Sequence, residues 1–300
     1  MRASVIIPSF QSASTIRACL SAVLVQDVDD GFEVVVADSG VDESAEIVRR
    51  EFPTVRLLKS DTRLDPALAR NAGAGEASGA VLAFIDSDCV PQRDWLRRLC
   101  ATLEDGTYAA VGGAIRNEEG GTAASWAGYF CEFRQFLPGD TATDAANLTL
   151  GNAAYRADAF HQAGGFPGGY FPQEDQVFHQ RLIATGARIR LDRSIVVTHR
   201  HRRTTASFLA HQRKIGAANA RVVRALGLHG RTIASHQWLA AALLPALATY
   251  RFARTAAACW KQERNLMLRS PAIAGLCWLG MFAWGIGFAR AAAKDARIAS

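Results

Sequence analysis

The 300-residue sequence predicts an α/β fold in which a mostly parallel sheet carries helices on both faces, followed by hydrophobic helices at the C-terminal end. Three observations predict it. Short apolar segments alternate with segments of helical periodicity over the first hundred residues. Carboxylates follow two of the apolar segments, and the last third of the chain contains two long runs without Asp, Glu, Lys or Arg.

The predicted strands are short, apolar and rich in β-branched residues, as is typical of strands buried in a parallel sheet. They span residues 3–7, 32–37, 55–59 and 80–85. The fourth strand reads AVLAFI and runs directly into DSD, so a buried segment ends in Asp86 and Asp88.

Helices are predicted between the strands and again further along, at residues 14–26, 43–52, 66–77, 95–103, 157–163 and 173–185. The third has the clearest start, because Asp65 can cap it and Pro66 fits the first helical position. Segments rich in Gly, Thr and Asp predict loops at 118–122 and 138–147.

Charge is divided unevenly along the chain. Residues 1–198 hold 18 Lys and Arg against 26 Asp and Glu, a net of −8, whereas residues 199–300 hold 16 against 2, a net of +14. A basic, acid-poor C-terminal third predicts an anionic partner, either nucleic acid or lipid headgroups. The basic run RHRR at 200–203 lacks interleaved aromatic residues, so we expect no nucleic-acid partner.

Two apolar runs favour membrane lipids as that partner. Residues 270–289 carry no charge, and twenty helical residues span about 30 Å, the thickness of a hydrocarbon core. In residues 232–250, Leu239, Leu243 and Leu247 recur at helical spacing, which predicts a helix lying in the membrane plane. The basic segment 251–269 between them is expected to be a loop, and a hairpin in which both runs cross would export it, against the positive-inside tendency.

The sequence therefore predicts an α/β domain at residues 1–230 and a membrane-associating helical tail at 231–300. Two buried helices of a soluble tail are the alternative. The six cysteines form no CxxC pair, and the first residues, MRASVIIPSF, do not form a signal-peptide pattern. Reduced thiols on the cytoplasmic face of the cell membrane are the expectation.

Acidic residues follow the second and fourth predicted strands. Asp38 ends VVVAD, and Asp86 and Asp88 follow the fourth strand. Ligands of open α/β sheets bind outside the carboxyl ends of the strands, so these side chains should face one crevice. Closely spaced carboxylates are stable beside a cation, and an oxygen pair suits Mg²⁺ or Mn²⁺ with positions left for phosphate oxygens. A lone DxD is equally compatible with a solvated turn.

Two further stretches add charged residues. Arg70, in LDPALARNAG, can offer a planar guanidinium fork to an anion. Glu174 and Asp175 open the helix at 173–185, where they either cap the helix or perform acid–base chemistry. The helix N-terminus lowers the pKa of a carboxyl group, whereas burial and the neighbouring carboxylate raise it.

The chain resembles the family 2 glycosyltransferases, enzymes with the nucleotide-sugar-binding α/β fold called GT-A. Six blocks carry the resemblance in family order over residues 3–205: SVIIPSF (4–10), VVVADSG (34–40), ARNAG (69–73), FIDSD (84–88), GNAAYRADAFHQAGGF (151–166) and QED (173–175).

This resemblance implies roles on the donor side. Pro8 and Phe10 would line the nucleotide pocket, and Asp38 would hydrogen-bond the base, usually uracil. Arg70 would lie near the diphosphate, and Asp86 against ribose or metal. The chain departs from the family pattern where Ser39 follows Asp38 and Gln11 follows Phe10.

The resemblance also implies the reacting groups. Asp88 would ligate Mg²⁺ or Mn²⁺, His199 is a candidate for a further ligand, Glu174 would contact substrate, and Asp175 would be the general base on the acceptor hydroxyl. A single base without a second carboxylate as nucleophile implies one displacement that inverts the anomeric centre.

The predicted function is thus metal-assisted transfer of a sugar, expected to come from a UDP-sugar, to a glycolipid, polysaccharide or other membrane-proximal acceptor. A sugar nucleotidyltransferase is one alternative, but SFQSAS after the first strand has no glycine, whereas that class shows a Gly-rich signature there. A non-catalytic membrane partner with the same fold is the other alternative. It predicts that the acidic site residues are replaced, whereas Asp38, Asp86, Asp88 and Asp175 are all present. The oligomeric state is left open.

Overall fold

The computed structural model describes residues 2–28 and 31–292, without the side chains at 262, 263 and 265–269. Residues 293–300 of the predicted tail lie outside the described residues. The chain divides into two compact units. The first comprises Met1–Arg116, Pro138–Gly168 and Glu174–His199, and the second comprises Asn117–Leu137, Gly169–Gln173 and the chain from Arg200 onwards.

Nine strands within the described residues form one sheet of the first unit. They are β1 (Ala3–Ser9), β2 (Phe32–Asp38), β3 (Arg56–Lys59), β4 (Val81–Phe84), β5 (Cys89–Pro91), β6 (Ala110–Asn117), β7 (Ala142–Asp144), β8 (Ala153–Arg156) and β9 (Ile189–His199). Their order is β3-β2-β1-β4-β8-β6-β9-β5, and β7 pairs with β9.

The α/β prediction is confirmed, and the sheet is mixed. Strands β1 to β4 pair in parallel, and all four predicted strands are present with ends shifted by at most two residues. The pairs β4–β8, β6–β8, β5–β9 and β7–β9 are antiparallel. The antiparallel strands escaped prediction because several are short and edge-like: β7 is fully exposed and lies inside the predicted loop 138–147.

Seven α-helices of the described residues come before the long helical part. They are α1 (Ile16–Val23), α2 (Ser44–Glu51), α3 (Pro66–Gly75), α4 (Trp95–Leu103), α5 (Ala123–Phe133), α6 (Ala157–Gln162) and α7 (Glu174–Ala184). Of these, α5 belongs to the second unit. The predicted cap is present, because the Asp65 carboxylate accepts a hydrogen bond from Ala67 N–H at 2.9 Å.

An aromatic cluster joins the sheet to the helices that carry the second half of the first unit. Phe84 of β4 contacts Tyr155 of β8, and Phe166 and Phe178 pack with ring centroids 4.7 Å apart. Phe160 of α6 completes the cluster. These buried rings fix α7 relative to the end of β4, which positions the residues discussed below.

The second unit is helical. It contains α8 (Thr205–Ala225), α9 (Arg231–Ser235), α10 (Gln237–Ala242), α11 (Leu244–Arg269) and α12 (Pro271–Ala291). Helices α8 and α12 touch backbone to backbone, because a Cβ on Gly216 would collide with the carbonyl oxygen of Trp284. Trp284 Nε1 also donates to Asn219 Oδ1 at 2.8 Å.

Two expectations for the tail differ from the structure. The single in-plane helix predicted at 232–250 is broken into α9, α10 and the start of α11, and Leu247 packs partly against a buried cluster that includes Ala240 and Phe288. The segment 251–269, expected as a loop, is helical. The sequence pattern could not predict these two differences, because an alanine-rich apolar run has the same periodicity in a buried helical bundle and at a membrane surface.

One helix in the described part of the chain, α12, is long and apolar enough to cross a membrane. More than half of its apolar window is buried inside the protein. Its buried residues include Ile273, Met281 and Phe288, whereas Trp278 and Leu279 are exposed.

Candidate active site

The carboxyl ends of β1, β2 and β4 meet at one edge of the sheet. Ser9 Oγ donates to Asp38 Oδ1 at 2.7 Å, which joins the ends of β1 and β2. The hydroxyls of Ser12 and Ser87 lie 2.7 Å apart, which joins the turn after β1 to the DSD segment after β4. The strand tips therefore converge, as parallel pairing requires.

Asp38 is held from two sides. Its residue is 1% exposed, Ser9 binds Oδ1, and Lys59 Nζ at the end of β3 lies 2.7 Å from Oδ2. Lys59 also donates to the carbonyl oxygen of Gly40. Burying a carboxylate costs free energy unless a cation and hydrogen-bond donors compensate it. Sequence reasoning missed Lys59, although it closes the third predicted strand.

Residues 8 to 11 form the open side of this edge. Pro8 is half-buried, and Phe10 is 41% exposed with the Arg63 guanidinium 4.4 Å from its ring centroid. Gln11 has φ of 56°, the left-handed region that non-glycine residues rarely adopt. An exposed aromatic ring beside a strained turn fits a surface for a flat nucleotide base, the role expected for Pro8 and Phe10.

Arg70 bridges two carboxylates. Its Nη2 lies 2.6 Å from Asp86 Oδ1, and its Nη1 lies 2.9 Å from Glu174 Oε1. The arginine and Glu174 are buried. Arg70 was expected to offer its fork to a substrate anion, but both terminal nitrogens instead contact protein carboxylates. The guanidinium thereby connects the end of β4 to the start of α7.

The next residue of the same helix makes a second link. Asn71 Nδ2 donates to the Phe166 carbonyl oxygen at 2.8 Å, and Asn71 Oδ1 accepts from Phe166 N–H at 2.9 Å. The ARNAG block therefore has a physical purpose. One turn of α3 holds the aspartate after β4, the segment before α7, and the first residue of α7.

Asp88, Cys89 and His199 form a cluster whose candidate ligand atoms lie within 4.8 Å of one another. His199 Nε2 is 3.4 Å from Asp88 Oδ1. Antiparallel pairing of β5 with β9 places Cys89 opposite His199, and this register brings the histidine to the aspartate across 110 residues of chain. The Cys89 thiol is buried, and burial raises its pKa well above the ordinary value, so it stays protonated.

The Asp88–His199 pair fits a divalent cation. Ligands bound at ~2.1 Å in adjacent octahedral positions lie roughly 3 Å apart, close to the observed separation. The side chain of Asp88 is 39% exposed, so a cation bound there would be accessible to phosphate oxygens. The backbone of Gly151 lies close to Asp86: a Cβ at position 151 would come within 3.2 Å of Asp86 Oδ2, so a side chain there would crowd this carboxylate.

Asp175 stands at the N-terminus of α7, next to Glu174. Asn147 Nδ2 donates to its Oδ2 at 3.1 Å, and its Oδ1 is buried without a partner among the described residues. Burial, followed by the charge of Glu174, raises the pKa of Asp175 to about 7. The hydrogen bond from Asn147, a backbone hydrogen bond from Gln176 and the charge of Arg70 act in the opposite direction. Burial thus outweighs the helix N-terminus, and the group can accept a proton near neutral pH.

Three residues near Asp175 escaped sequence reasoning. Asn147 lies at the end of a predicted loop, and His179 is one helical turn after Asp175. His179 is buried and within 2.7 Å of the Tyr155 hydroxyl. The i,i+4 spacing of Asp175 and His179 was the available signal.

The basic run 200–203 lies in the second unit and faces acids there. Arg202 is 3.8 Å from Glu132, while Arg200 and Arg203 are within 3.8 Å of Glu118. The structure therefore gives these half-exposed arginines acidic partners within their own unit.

Comparison with known proteins decides the family. The family model described as glycosyl transferase family 2 matches residues 4–164, more than half of the chain. The chain belongs to glycosyl transferase family 2. Glycosyltransferase AglE of Haloferax volcanii is 28% identical to this family 2 enzyme over 228 residues, which cover 73% of each chain. The chain is therefore a glycosyltransferase, and neither the nucleotidyltransferase nor the non-catalytic alternative holds.

Solved structures share the fold of this family 2 glycosyltransferase. Mannosyltransferase PcManGT from Pyrobaculum calidifontis, in complex with GDP-Man and Mn²⁺, aligns with a TM-score of 0.65 and 22% identity over 96% of this chain and 86% of that chain. S. aureus TarS 1–349 in complex with UDP-GlcNAc aligns with a TM-score of 0.57 and 18% identity, covering 93% and 90%. The chain spans 40% of a longer TarS structure.

Proposed function

We propose that this glycosyltransferase moves a sugar from a nucleotide-diphosphate donor to a glycan or lipid-linked acceptor at the cytoplasmic face of the cell membrane. Transfer inverts the anomeric centre in one displacement. The observation that carries the proposal is the Arg70 bridge. It connects the aspartates at the end of β4 to the carboxylates at the start of α7, and so brings a donor-binding region and a base into one site.

The donor half of the site is built from β1, β2 and β4. Phe10 and Pro8 face the nucleotide base, and Asp38, fixed by Ser9 and Lys59, hydrogen-bonds it. Asp86 lies against the ribose. Asp88 and His199 would hold a divalent cation, Mn²⁺ or Mg²⁺, which when bound neutralises the charge that develops on the leaving diphosphate.

The acceptor half is built around α7. Asp175 takes the proton of the acceptor hydroxyl as that oxygen attacks the anomeric carbon, and its pKa of about 7 suits the task at neutral pH. Glu174, held by Arg70, contributes negative charge that keeps the pKa of Asp175 high. Because one base serves one displacement, the product has the anomeric configuration opposite to that of the donor.

A uridine diphosphate sugar is the first donor to test, because the resemblance implies it and TarS binds UDP-GlcNAc. GDP-mannose is the second, because it is the donor in the PcManGT complex. The Ser39 that follows Asp38 departs from the family pattern at the base-binding turn, so the panel includes both nucleotides.

Membrane association is proposed through the second unit, while the catalytic residues lie between 8 and 199. Exposed Trp238, Trp260 and Trp278 provide the amphipathic side chains typical of a membrane interface. A cleft of about 370 Å³ between α8 and α12 is lined by Arg213, Lys214, Ala217, Arg221, Gly287, Arg290 and Ala291. Four cations around one open cleft suit anionic headgroups.

Two variants test the chemistry. Asp88→Ala and Asp175→Asn should both abolish transfer, measured as sugar incorporated into a membrane-derived acceptor. Donor binding, measured as Mn²⁺-dependent thermal stabilisation, should fall in Asp88→Ala and remain nearly intact in Asp175→Asn. Exposed Asp61→Ala is the control. Equal and large losses of donor binding in both variants would refute the assigned roles, and retention of configuration in the product would refute the single displacement.

Vesicle flotation with the full chain tests the membrane surface. Removing the residues after 231 is a poor test, because α12 is packed against α8. We expect binding to anionic vesicles that weakens with salt and in Arg213→Gln with Lys214→Gln. The matched control is Arg49→Gln with Arg50→Gln, an exposed pair on α2. If the wild-type chain does not float with anionic vesicles and stays soluble without detergent, this part of the proposal is overturned.

A further inference from the structure

A continuous line of polar contacts runs behind Asp175 into the core. Asn147 Nδ2 donates to Asp175 Oδ2 at 3.1 Å. Asn147 Oδ1 lies 2.5 Å from His179 Nδ1, and His179 Nε2 lies 2.7 Å from the Tyr155 hydroxyl. His179 and Tyr155 are fully buried between β8 and α7. Buried polar groups of this kind are costly unless every member is paired.

The contacts determine which atoms donate. An ionised Asp175 can only accept, so the amide nitrogen of Asn147 must face it and the amide oxygen must face His179. Two acceptors 2.5 Å apart would repel, so His179 Nδ1 carries the hydrogen. His179 Nε2 then accepts from the Tyr155 hydroxyl. The backbone N–H of Leu148 points at the same Nδ1 from 3.3 Å and could donate only to the other tautomer; the 2.5 Å contact with Asn147 Oδ1 is the shorter of the two and decides for a hydrogen on Nδ1.

The state of the histidine agrees with this direction. Burial lowers the pKa of His179 to about 3, so the ring is neutral and has one hydrogen to donate. Burial also raises the pKa of Tyr155 well above its ordinary value, so the phenol keeps its hydrogen. The other charged groups that face Asp175 are Glu174 of α7, which raises its pKa, and Arg70 of α3, which lowers it.

We propose that Asn147, His179 and Tyr155 are positioning residues that hold Asp175 ionised and aimed at the acceptor. Tyr155 fixes the tautomer of His179, His179 fixes the orientation of the Asn147 amide, and the amide N–H fixes one oxygen of Asp175. The other oxygen, Oδ1, is left for the acceptor hydroxyl. The inference rests on the proposed role of Asp175 as base.

The first test follows the titration of Asp175 without using activity. Urea unfolding is measured from pH 4 to pH 9 for the wild type, Asn147→Ala, and each of these with Asp175→Asn. In each background, the free energy of unfolding with Asp at position 175 is compared with that of the Asp175→Asn form. The pH dependence of this difference gives the titration of Asp175. Loss of the amide donor should move its midpoint upward from about 7, by roughly one pH unit. An unchanged midpoint would overturn the proposal.

The second test uses kinetics. The acid limb of the kcat profile should move upward with the stability midpoint in Asn147→Ala, with kcat at pH 7 lowered roughly 5-fold and the donor KM unchanged. If the stability midpoint moves while the acid limb stays, Asp175 is positioned as described but is not the base. This result separates failure of the proposed function from failure of the inference.

Tyr155→Phe covers the case in which Asn147→Ala disturbs the fold. It keeps the buried ring and removes only the hydroxyl, whose hydrogen selects the His179 tautomer. We expect the stability midpoint and the acid limb of the kcat profile to move upward again, by less than in Asn147→Ala. Tyr108→Phe is the matched control, because that hydroxyl binds Asp144 at the surface. Identical profiles for Tyr155→Phe and Tyr108→Phe would remove Tyr155 and His179 from the network.

Discussion

Replacing Asp175 with asparagine should make the protein more stable at neutral pH while abolishing its activity. In the unfolded chain the carboxyl titrates near 3.8, and in the folded protein near 7. Below about pH 4 both states hold the proton. Between the two values the folded state holds a proton that the unfolded state has lost, so stability falls as the pH rises and the loss is complete above about 7.

The size of the effect follows from the two pKa values. Each pH unit between them corresponds to about 1.4 kcal/mol, so ionising Asp175 in the folded protein costs about 4 kcal/mol. The asparagine variant avoids this cost but buries an amide donor where Oδ1 now lies, which costs about 1–3 kcal/mol at every pH. The cost of the buried amide is the same at every pH. It therefore cancels when the stability difference between variant and wild type is compared at two pH values.

The assay is urea unfolding of the nucleotide-free, metal-free protein at several values between pH 4 and pH 8. The stability of Asp175→Asn relative to the wild type should rise by about 4 kcal/mol across this range. Asp158→Asn is the control: Arg156 lowers the pKa of Asp158 below its ordinary 3.8, so both states are ionised above pH 4 and its relative stability should stay nearly constant across this range. Curves for Asp175→Asn and wild type that run parallel would show that the carboxyl is not buried as described.

Three other changes have defined outcomes. Arg70→Gln should destabilise the protein by about 3–5 kcal/mol in urea unfolding, because it leaves Asp86 and buried Glu174 without their cation; a loss below 1 kcal/mol would contradict the bridge. Gln11→Gly should stabilise it by about 1 kcal/mol, since glycine adopts a φ of 56° without strain, and a lower stability would count against a left-handed turn. His199→Gln should raise the Mn²⁺ concentration needed for half-maximal thermal stabilisation by donor about 10-fold, whereas an unchanged Mn²⁺ requirement would exclude His199 as a ligand.

The parallel half of the sheet could be predicted because each of its strands is a local signal. Residues 3–7 and 80–85 are apolar, β-branched and bounded by turns, and α4 was predicted with its observed bounds at Trp95–Leu103. Asp38, Asp86 and Asp88 could be placed at one edge because parallel pairing fixes where strand ends lie. Local pattern and topology agree in this part of the chain.

The rest depended on pairings that no local pattern contains. His199 reaches Asp88 through the register of β5 and β9, and Arg70 reaches Glu174 across 104 residues. The resemblance named these residues without showing which of them touch. Asn147 was hidden in a segment whose composition predicted a loop, and its side chain gained a role only when α7 packed beside it.

The pairing of β5 with β9 has a consequence for how this chain can diversify. The spacing of Asp88 and His199 is set by hydrogen-bond register between two strands, and the length of polypeptide that connects them has no part in it. Surface turns in that stretch, such as 118–122, can grow, shrink or be exchanged while the two side chains keep their separation.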